Sequence, residues 1–181
     1  MPIFLNNADE TMKLGRILAQ AMCCSSVRTL YLSAPLGGGK TTLTRGFVSA
    51  LPGGEDAEVA SPSFTLCNVY PTSPEVLHAD LYRLGKETSL PEEMEEMLEE
   101  DSPLLILEWP EYLSEDERAS ERLEVTLTPV AVNDAKNLDN AEKSCKSCRL
   151  ATLNSCGDAA LALLGELLPR LEKYFLPDDE A

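Results

Sequence analysis

The sequence is short of basic residues and of histidine. It has 15 Lys and Arg against 31 Asp and Glu, a net charge of −16, and a single histidine, His78. A surface this acidic repels a phosphate backbone, and we find no local basic cluster, so we do not expect direct, tight binding of nucleic acid. A small anionic ligand remains compatible with the charge, because a few backbone N–H groups and one lysine can hold it locally.

Long apolar runs are also missing. No stretch approaches the length of a membrane-spanning helix, and the start MPIFLNNADE lacks the basic-then-apolar pattern of a signal segment. We therefore expect a cytoplasmic protein with no membrane partner, whose six cysteines stay reduced. The C-x-x-C pair Cys145 and Cys148 lacks two further ligands for a zinc site, so we interpret it as loop cysteines.

Strand-like and helix-like patterns alternate along the chain. The run LLILE at 104–108 is continuously apolar before its final acid, which is typical of a strand buried on both faces. Amphipathic segments precede and follow such runs; the first is predicted to begin with Asp9 as N-cap, and Pro169 is predicted to break or restart the last. The pattern predicts an α/β fold, a P-loop NTPase-like sandwich with a central, mainly parallel sheet and flanking helices.

The domain organisation follows from the length and from two polar segments. With 181 residues, we expect residues 1–181 to form a single P-loop ATPase domain. Residues 130–147 are polar without periodicity and are expected to be an inserted surface loop, and residues 176–181 an acidic tail.

A glycine-rich stretch, SAPLGGGKTT at 33–42, lies between a predicted strand and a predicted helix. Successive N–H groups of Gly37, Gly38, Gly39 and Lys40 are expected to wrap the β-phosphate of a nucleotide at the start of the helix. The Lys40 ammonium would reach the β- and γ-phosphate oxygens, and the Thr41 hydroxyl would be a ligand of Mg²⁺. The stretch therefore predicts a Walker A loop.

The loop lacks the first glycine of the usual pattern G-x-x-x-x-G-K-[ST], since Ala34 occupies that position. Pro35 follows, and a residue before proline is driven to negative φ, where alanine fits without strain. We therefore interpret the loop as functional; the alternative is a glycine-rich turn that precedes a surface lysine.

Two acidic residues end β-like runs and complete the expected site. Glu108 is predicted to hold Mg²⁺ or orient the attacking water, as in a Walker B strand, and Asp80 is the second candidate. With Lys40, they are the expected catalytic residues. Ser61, Ser63 and Thr65 could sense the γ-phosphate; a salt-bridged strand end at Glu108 and a plain polar turn at the hydroxyl residues are the alternatives.

Four segments taken together resemble one family. SAPLGGGKTTLTRGFVSAL, VASPSFTL, LHADLYRL and LILEWPEYL are similar, in order and spacing, to the TsaE (YjeE) family, over about residues 8–127. The resemblance implies slow hydrolysis of ATP with Mg²⁺ by an accessory subunit of the complex that makes tRNA threonylcarbamoyladenosine. It also implies two protein partners of the TsaB and TsaD type, which would carry the tRNA, so that this chain meets tRNA only indirectly.

The resemblance also implies site residues. Thr41 and Glu108 would hold the metal, with Asp80 implicated, and Thr11 and Thr42 would lie at the nucleotide. Family loops typically read GDLGAGKT, and the acid missing from this loop is expected to alter the affinity for nucleotide.

The residues leave three alternatives to an ATPase. The first is a non-catalytic ATP-binding switch or sensor of the same complex. The second, a small-molecule kinase, is disfavoured because Lys and Arg are too sparse for a basic lid over the phosphates. The third, a GTPase, is disfavoured because the chain has no N-K-x-D segment.

Overall fold

The computed structural model describes residues 2–130 and 148–175. One sheet has seven strands, which are β1 (Pro2–Leu5), β2 (Thr29–Ser33), β3 (Cys67–Tyr70), β4 (Val76–Asp80), β5 (Leu104–Glu108), β6 (Arg122–Pro129) and β7 (Arg149–Cys156). The described helices are α1 (Ala8–Met22), α2 (Lys40–Val48), α3 (Glu92–Asp101) and α4 (Asp158–Phe175). Short 3-10 turns lie at Pro110–Tyr112 and Glu115–Glu117.

The strand order is β1-β7-β6-β2-β5-β4-β3. The four central strands β6, β2, β5 and β4 run parallel, and β3, β7 and β1 join antiparallel at the two sides. The predicted α/β sandwich is confirmed, with its parallel part confined to the centre. Parallel strands end at a common edge, and the register pairs Leu32 and Asp80 with Glu108 there.

Alternate residues of the central strands pack into two apolar layers, one on each face of the sheet. On β2, Leu30 and Leu32 join the core under α1, α2 and α4, whereas Tyr31 packs on the opposite face with Met94 of α3. This period-two pattern explains why β2 reads as a short continuous apolar run: both of its faces are covered. The loop after β2 thus projects from a strand that is fixed on every side.

Two helix details differ from the sequence-based expectation. Helix α1 begins at Ala8, and its N-cap is Asn7, whose side chain accepts a hydrogen bond from the Glu10 N–H at 2.9 Å; the prediction of Asp9 was wrong. Helix α4 runs through Pro169 without a break. Its leucines at 163, 167 and 171 are buried in the core, and this packing offsets the hydrogen bond that proline removes.

Four described cysteines, Cys23, Cys24, Cys67 and Cys156, are free thiols, as predicted. The prediction was wrong for Cys148, which is disulfide-bonded. Cys145, the expected inserted loop beyond Val130 and the expected tail at 176–181 lie outside the described residues. Within the described part, none of the helices combines the length and the apolar character that crossing a membrane requires.

Candidate functional site

The loop between β2 and α2 has a backbone that only glycine adopts readily. Gly37 and Gly39 have φ of 73° and 106°, in the left-handed region that disfavours other residues. Gly38 is confined differently: a Cβ there would lie 2.7 Å from the Ala34 side chain and 2.8 Å from the Pro35 carbonyl oxygen. Glycine is therefore required at 37 and 39 by the backbone angle and at 38 by the lack of space for a side chain.

The N–H groups of the loop are divided between two uses. The Gly38 N–H donates to the Pro35 carbonyl at 2.9 Å, so it closes the loop on itself. Those of Gly37, Gly39 and Lys40 make no backbone hydrogen bond to another described residue. Free N–H groups at a turn that opens a helix are a typical anion-binding arrangement, with three donors where the sequence suggested four.

Lys40, the first residue of α2, is only 6% exposed. Its ammonium donates to the Ala34 carbonyl at 3.0 Å, lies 3.7 Å from Glu108 Oε2 and sits 4.4 Å from the centre of the Trp109 ring. All three neighbours are electron-rich, as phosphate oxygens are. The ammonium is thus held across the mouth of the loop by groups that an anion can replace.

Glu108 closes β5 and is 2% exposed. Its Oε1 lies 2.9 Å from Nε2 of His78, which is fully buried on β4 and whose Nδ1 has no partner within the described residues. One carboxylate therefore connects a lysine on one side and an imidazole on the other. No motif singles out His78; the signal in the sequence is its i, i+2 spacing to Asp80, which places both side chains on one face of β4.

Asp80, the last residue of β4, is 3% exposed and register-paired with Glu108. Its Oδ2 accepts a hydrogen bond from Ser63 Oγ at 2.8 Å, and its Oδ1 accepts from the Tyr82 N–H at 2.9 Å. Ser61 Oγ lies 2.7 Å from Ser63 Oγ, so the two serines form a chain that ends on Asp80.

Thr65, the third hydroxyl of that segment, does not join this chain. Its hydroxyl bonds to the Asn68 side chain at 2.8 Å. Thr41 and Thr42 lie half-buried on the first turn of α2, next to Lys40. The structure therefore brings two of the three candidate sensing residues to the acidic edge and places the third elsewhere.

Thr11, on α1, is fully buried and donates to the Asn7 carbonyl at 3.1 Å. Arg149, which the sequence analysis did not single out, lies between Thr11 and the loop. Its Nε donates to the Gly38 carbonyl at 2.7 Å, and its Nη1 is 3.5 Å from Thr11 Oγ1. Arg149 follows a polar segment and begins a strand, so nothing local distinguished it.

An aromatic cluster covers one side of Lys40. Trp109 is half-buried, and its ring centre lies 5.0 Å from that of Tyr82 and 5.8 Å from that of Tyr112. Trp109 has φ of 59°, which turns the chain sharply after β5 and directs the ring back over Lys40. Trp109 thus packs against Tyr82 and Tyr112 and lies over the Lys40 ammonium.

The described residues contain no group of three or more His, Cys, Asp or Glu side chains that would hold a metal ion by itself. Mg²⁺ commonly takes only one or two protein ligands and completes its shell with water and phosphate oxygens. The hydroxyl of Thr41 and the carboxylate of Glu108 are oxygen donors of the preferred kind, so this edge of the sheet fits Mg²⁺ bound together with a phosphate chain.

Comparisons with known proteins support a common origin. The family model described as "Threonylcarbamoyl adenosine biosynthesis protein TsaE" matches residues 5–137. The tRNA threonylcarbamoyladenosine biosynthesis protein TsaE of Rickettsia felis is 32% identical over 157 residues, 84% of this chain and 81% of that protein. The protein of the same name from Mycobacterium bovis is 33% identical over 142 residues, 73% of this chain and 81% of its own length.

The fold also matches a solved structure. The crystal structure of Bacillus subtilis YdiB superposes with a TM-score of 0.66 and 22% identity, over 94% of this chain and 95% of that one. At that identity the likeness concerns the fold, which is the P-loop NTPase-like α/β arrangement that the sequence predicted.

Proposed function

This chain belongs to the TsaE family of threonylcarbamoyl adenosine biosynthesis proteins, and we propose that within this pathway it is a Mg²⁺-dependent ATPase. The observation that carries the proposal is the buried pair of Lys40 and Glu108, 3.7 Å apart at the mouth of the glycine loop. Burying two charges is costly unless they are paired or serve a ligand. A basic group and an acidic group side by side at this loop support binding of a phosphate chain together with its metal.

The proposed roles follow from the contacts. Gly37, Gly39 and Lys40 offer N–H groups to the β-phosphate, and the Lys40 ammonium moves from Ala34 and Glu108 onto the phosphate oxygens. Thr41 and Glu108 would hold Mg²⁺, and the chemistry that the ion would supply is neutralisation of negative charge on the phosphoryl group.

When Lys40 moves to the phosphate, Glu108 loses its ion pair and keeps its contact with His78. A carboxylate that keeps its orientation through one oxygen can direct the other at a water molecule or at the metal. His78 therefore supports Glu108 in its proposed role without itself touching the nucleotide.

We propose that turnover is slow in the isolated chain and faster with two partner proteins of the TsaB and TsaD type in a cytoplasmic complex. Phosphoryl transfer often needs a cation supplied by a partner to stabilise the transition state. The net charge of −16 supports binding of the tRNA by those partners and not by this chain, because this surface repels a nucleic-acid backbone.

The alternative, an ATP-dependent switch without turnover, is favoured by one observation. The chain Ser61–Ser63–Asp80 ties the segment before β3 to the site, and its neighbour Phe64 is 91% exposed. A fully exposed ring beside a ligand site is a suitable contact for a partner, and its position would depend on whether the nucleotide engages the serines.

Single-turnover hydrolysis separates the two proposals. The isolated chain is mixed with radiolabelled ATP and Mg²⁺ at enzyme excess, with and without the two partner proteins, and ADP is followed over time. We expect slow ADP formation alone and faster formation with the partners. Binding of ATP with no ADP formed under either condition would favour the switch, and equal rates with and without partners would contradict the proposed coupling.

A further inference from the structure

Arg149 lies beyond residues 5–137, the part of the chain that the family model matches, yet it reaches the nucleotide loop. It is the first residue of β7, and its backbone is register-paired with Leu5 on one side and Pro129 on the other. A residue held between two strands has little freedom to move. The side chain therefore extends from a fixed base toward the loop.

The contact with the loop is directional. The Arg149 Nε donates to the Gly38 carbonyl oxygen at 2.7 Å, a short distance typical of a charge-assisted hydrogen bond. The Gly38–Gly39 peptide is trans. In a planar trans peptide the carbonyl and the N–H point in opposite directions. By holding the Gly38 carbonyl, Arg149 turns the Gly39 N–H away from itself.

The packing at this point is tight. A Cβ on Gly39 would lie 2.5 Å from Nε and 3.0 Å from Cζ of Arg149, so the guanidinium lies directly against the Gly39 backbone. The other end of the guanidinium, Nη1, is 3.5 Å from the buried Thr11 hydroxyl. Arg149 thus connects α1, β7 and the loop at one peptide group.

We infer that Arg149 is a positioning residue for nucleotide binding: it fixes the Gly38–Gly39 peptide so that the Gly39 N–H faces the β-phosphate. This inference rests on the proposed function, because it assigns a residue to the same phosphate site. Without Arg149 the peptide can rotate, and the loop must be ordered again each time it binds a nucleotide. The loss falls on binding, since Arg149 contacts the loop at Gly38 and Gly39.

The test compares Arg149→Met, which keeps the length of the stem and loses every donor, with Arg149→Lys, which restores one donor. Arg170→Ala is the matched control, because it removes one exposed positive charge that bonds to Gln20, far from the loop. Each full-length variant is titrated with Mg-ATP and Mg-ADP by calorimetry, and KM and kcat are measured with the partner proteins present.

For Arg149→Met we expect both nucleotides to bind about tenfold more weakly, with a matching rise in KM and a kcat within about twofold of wild type. Arg149→Lys should recover most of the affinity, and Arg170→Ala should bind like wild type. If Arg149→Met does not fold, as judged by thermal unfolding without nucleotide, Arg149→Leu, which also lacks any donor, takes its place with the same expected rise in KM.

Three results would overturn the inference: an unchanged KM in Arg149→Met, a fall in kcat with KM unchanged, or an equal loss of affinity in Arg170→Ala. The last would show that net charge, and not position, sets the affinity. Wild-type chain that binds neither nucleotide would overturn the proposed function together with this inference. Wild-type binding with an unaffected Arg149→Met would overturn the inference alone.

Discussion

Lys40 Nζ lies 3.7 Å from Glu108 Oε2, and both side chains are almost completely buried. The two residues are 68 positions apart in the sequence, and they meet because α2 begins where the central strands β2 and β5 end. Pairing with an acid offsets the cost of burying a lysine side chain. Binding of a phosphate chain then exchanges one anionic partner for another, which costs less than burying a bare ammonium.

Glu108→Gln should separate binding from turnover. The amide keeps the shape of the side chain but removes the negative charge that holds Lys40 and that a metal or an attacking water needs. We predict that Mg-ATP affinity changes by less than about threefold or improves, whereas single-turnover hydrolysis falls by about a hundredfold or more. Glu111→Gln, at an exposed acid that bonds to Ser33, is the control and should keep full activity. A fully active Glu108→Gln would remove the role given to the end of β5.

The fluorescence of the one tryptophan should report the position of Lys40. The ammonium sits 4.4 Å from the Trp109 ring centre, and we propose that it leaves for the phosphate oxygens when a nucleotide binds. We predict a change in Trp109 emission on addition of Mg-ADP or Mg-ATP, and a smaller change with AMP, which lacks the β-phosphate. Lys40→Met should shift the emission without any ligand and abolish the response. Identical responses of wild type and Lys40→Met would contradict this movement of Lys40.

Asp80→Asn should loosen the segment of Ser61 and Ser63. The carboxylate Oδ2 accepts the Ser63 hydroxyl hydrogen, and an amide nitrogen at that position cannot accept it. We predict faster cleavage by chymotrypsin after the exposed Phe64 and a fall in turnover of about tenfold. Thr65→Val is the control, because Thr65 bonds to Asn68 and not to Asp80. If both variants are cleaved like wild type, Asp80 does not anchor the segment.

Cys67 should resist alkylation in the folded protein. Burial raises the pKa of its thiol to about 11, so at pH 8 only about one molecule in a thousand carries the reactive thiolate. We predict that iodoacetamide labels the exposed Cys24 well before Cys67, and that the labelling rate of Cys67 rises about tenfold per pH unit up to its pKa. Peptide mass spectrometry measures both rates in one sample. Equal labelling of the two cysteines at pH 8 would contradict the raised pKa, and unfolding the chain should make their rates similar.

The sequence predicted the central strands, the loop and the acids at the strand ends because each has a local pattern. The glycines at 37–39 and the apolar run before Glu108 are visible within a few residues. Local patterns also locate an edge of the sheet, since parallel strands carry their last residues to one side. The loop and the two acids were therefore expected to lie close together, because each follows a strand that ends at this edge.

What the sequence did not predict depends on contacts between distant segments. β1 has four residues and is stabilised by pairing with β7, about 150 positions away. The His78–Glu108 contact needs the register of β4 against β5, and the Arg149 contact needs β7 beside β6. Asn7 displaced Asp9 as the helix cap because both are good caps and only the backbone geometry chooses between them.

The most direct test of the phosphate site is calorimetry of Mg-ATP with the pure wild-type chain and with Lys40→Ala. Lys13→Ala, at a half-buried lysine of α1 that lies over the Tyr174 ring, is the matched control. We predict saturable binding to wild type and to Lys13→Ala. In Lys40→Ala we predict binding weakened at least about a hundredfold, because a charged hydrogen-bond donor to phosphate is lost. No uptake of Mg-ATP by the wild-type chain, or equal uptake by wild type and Lys40→Ala, would contradict the assignment of the glycine loop as a nucleotide site.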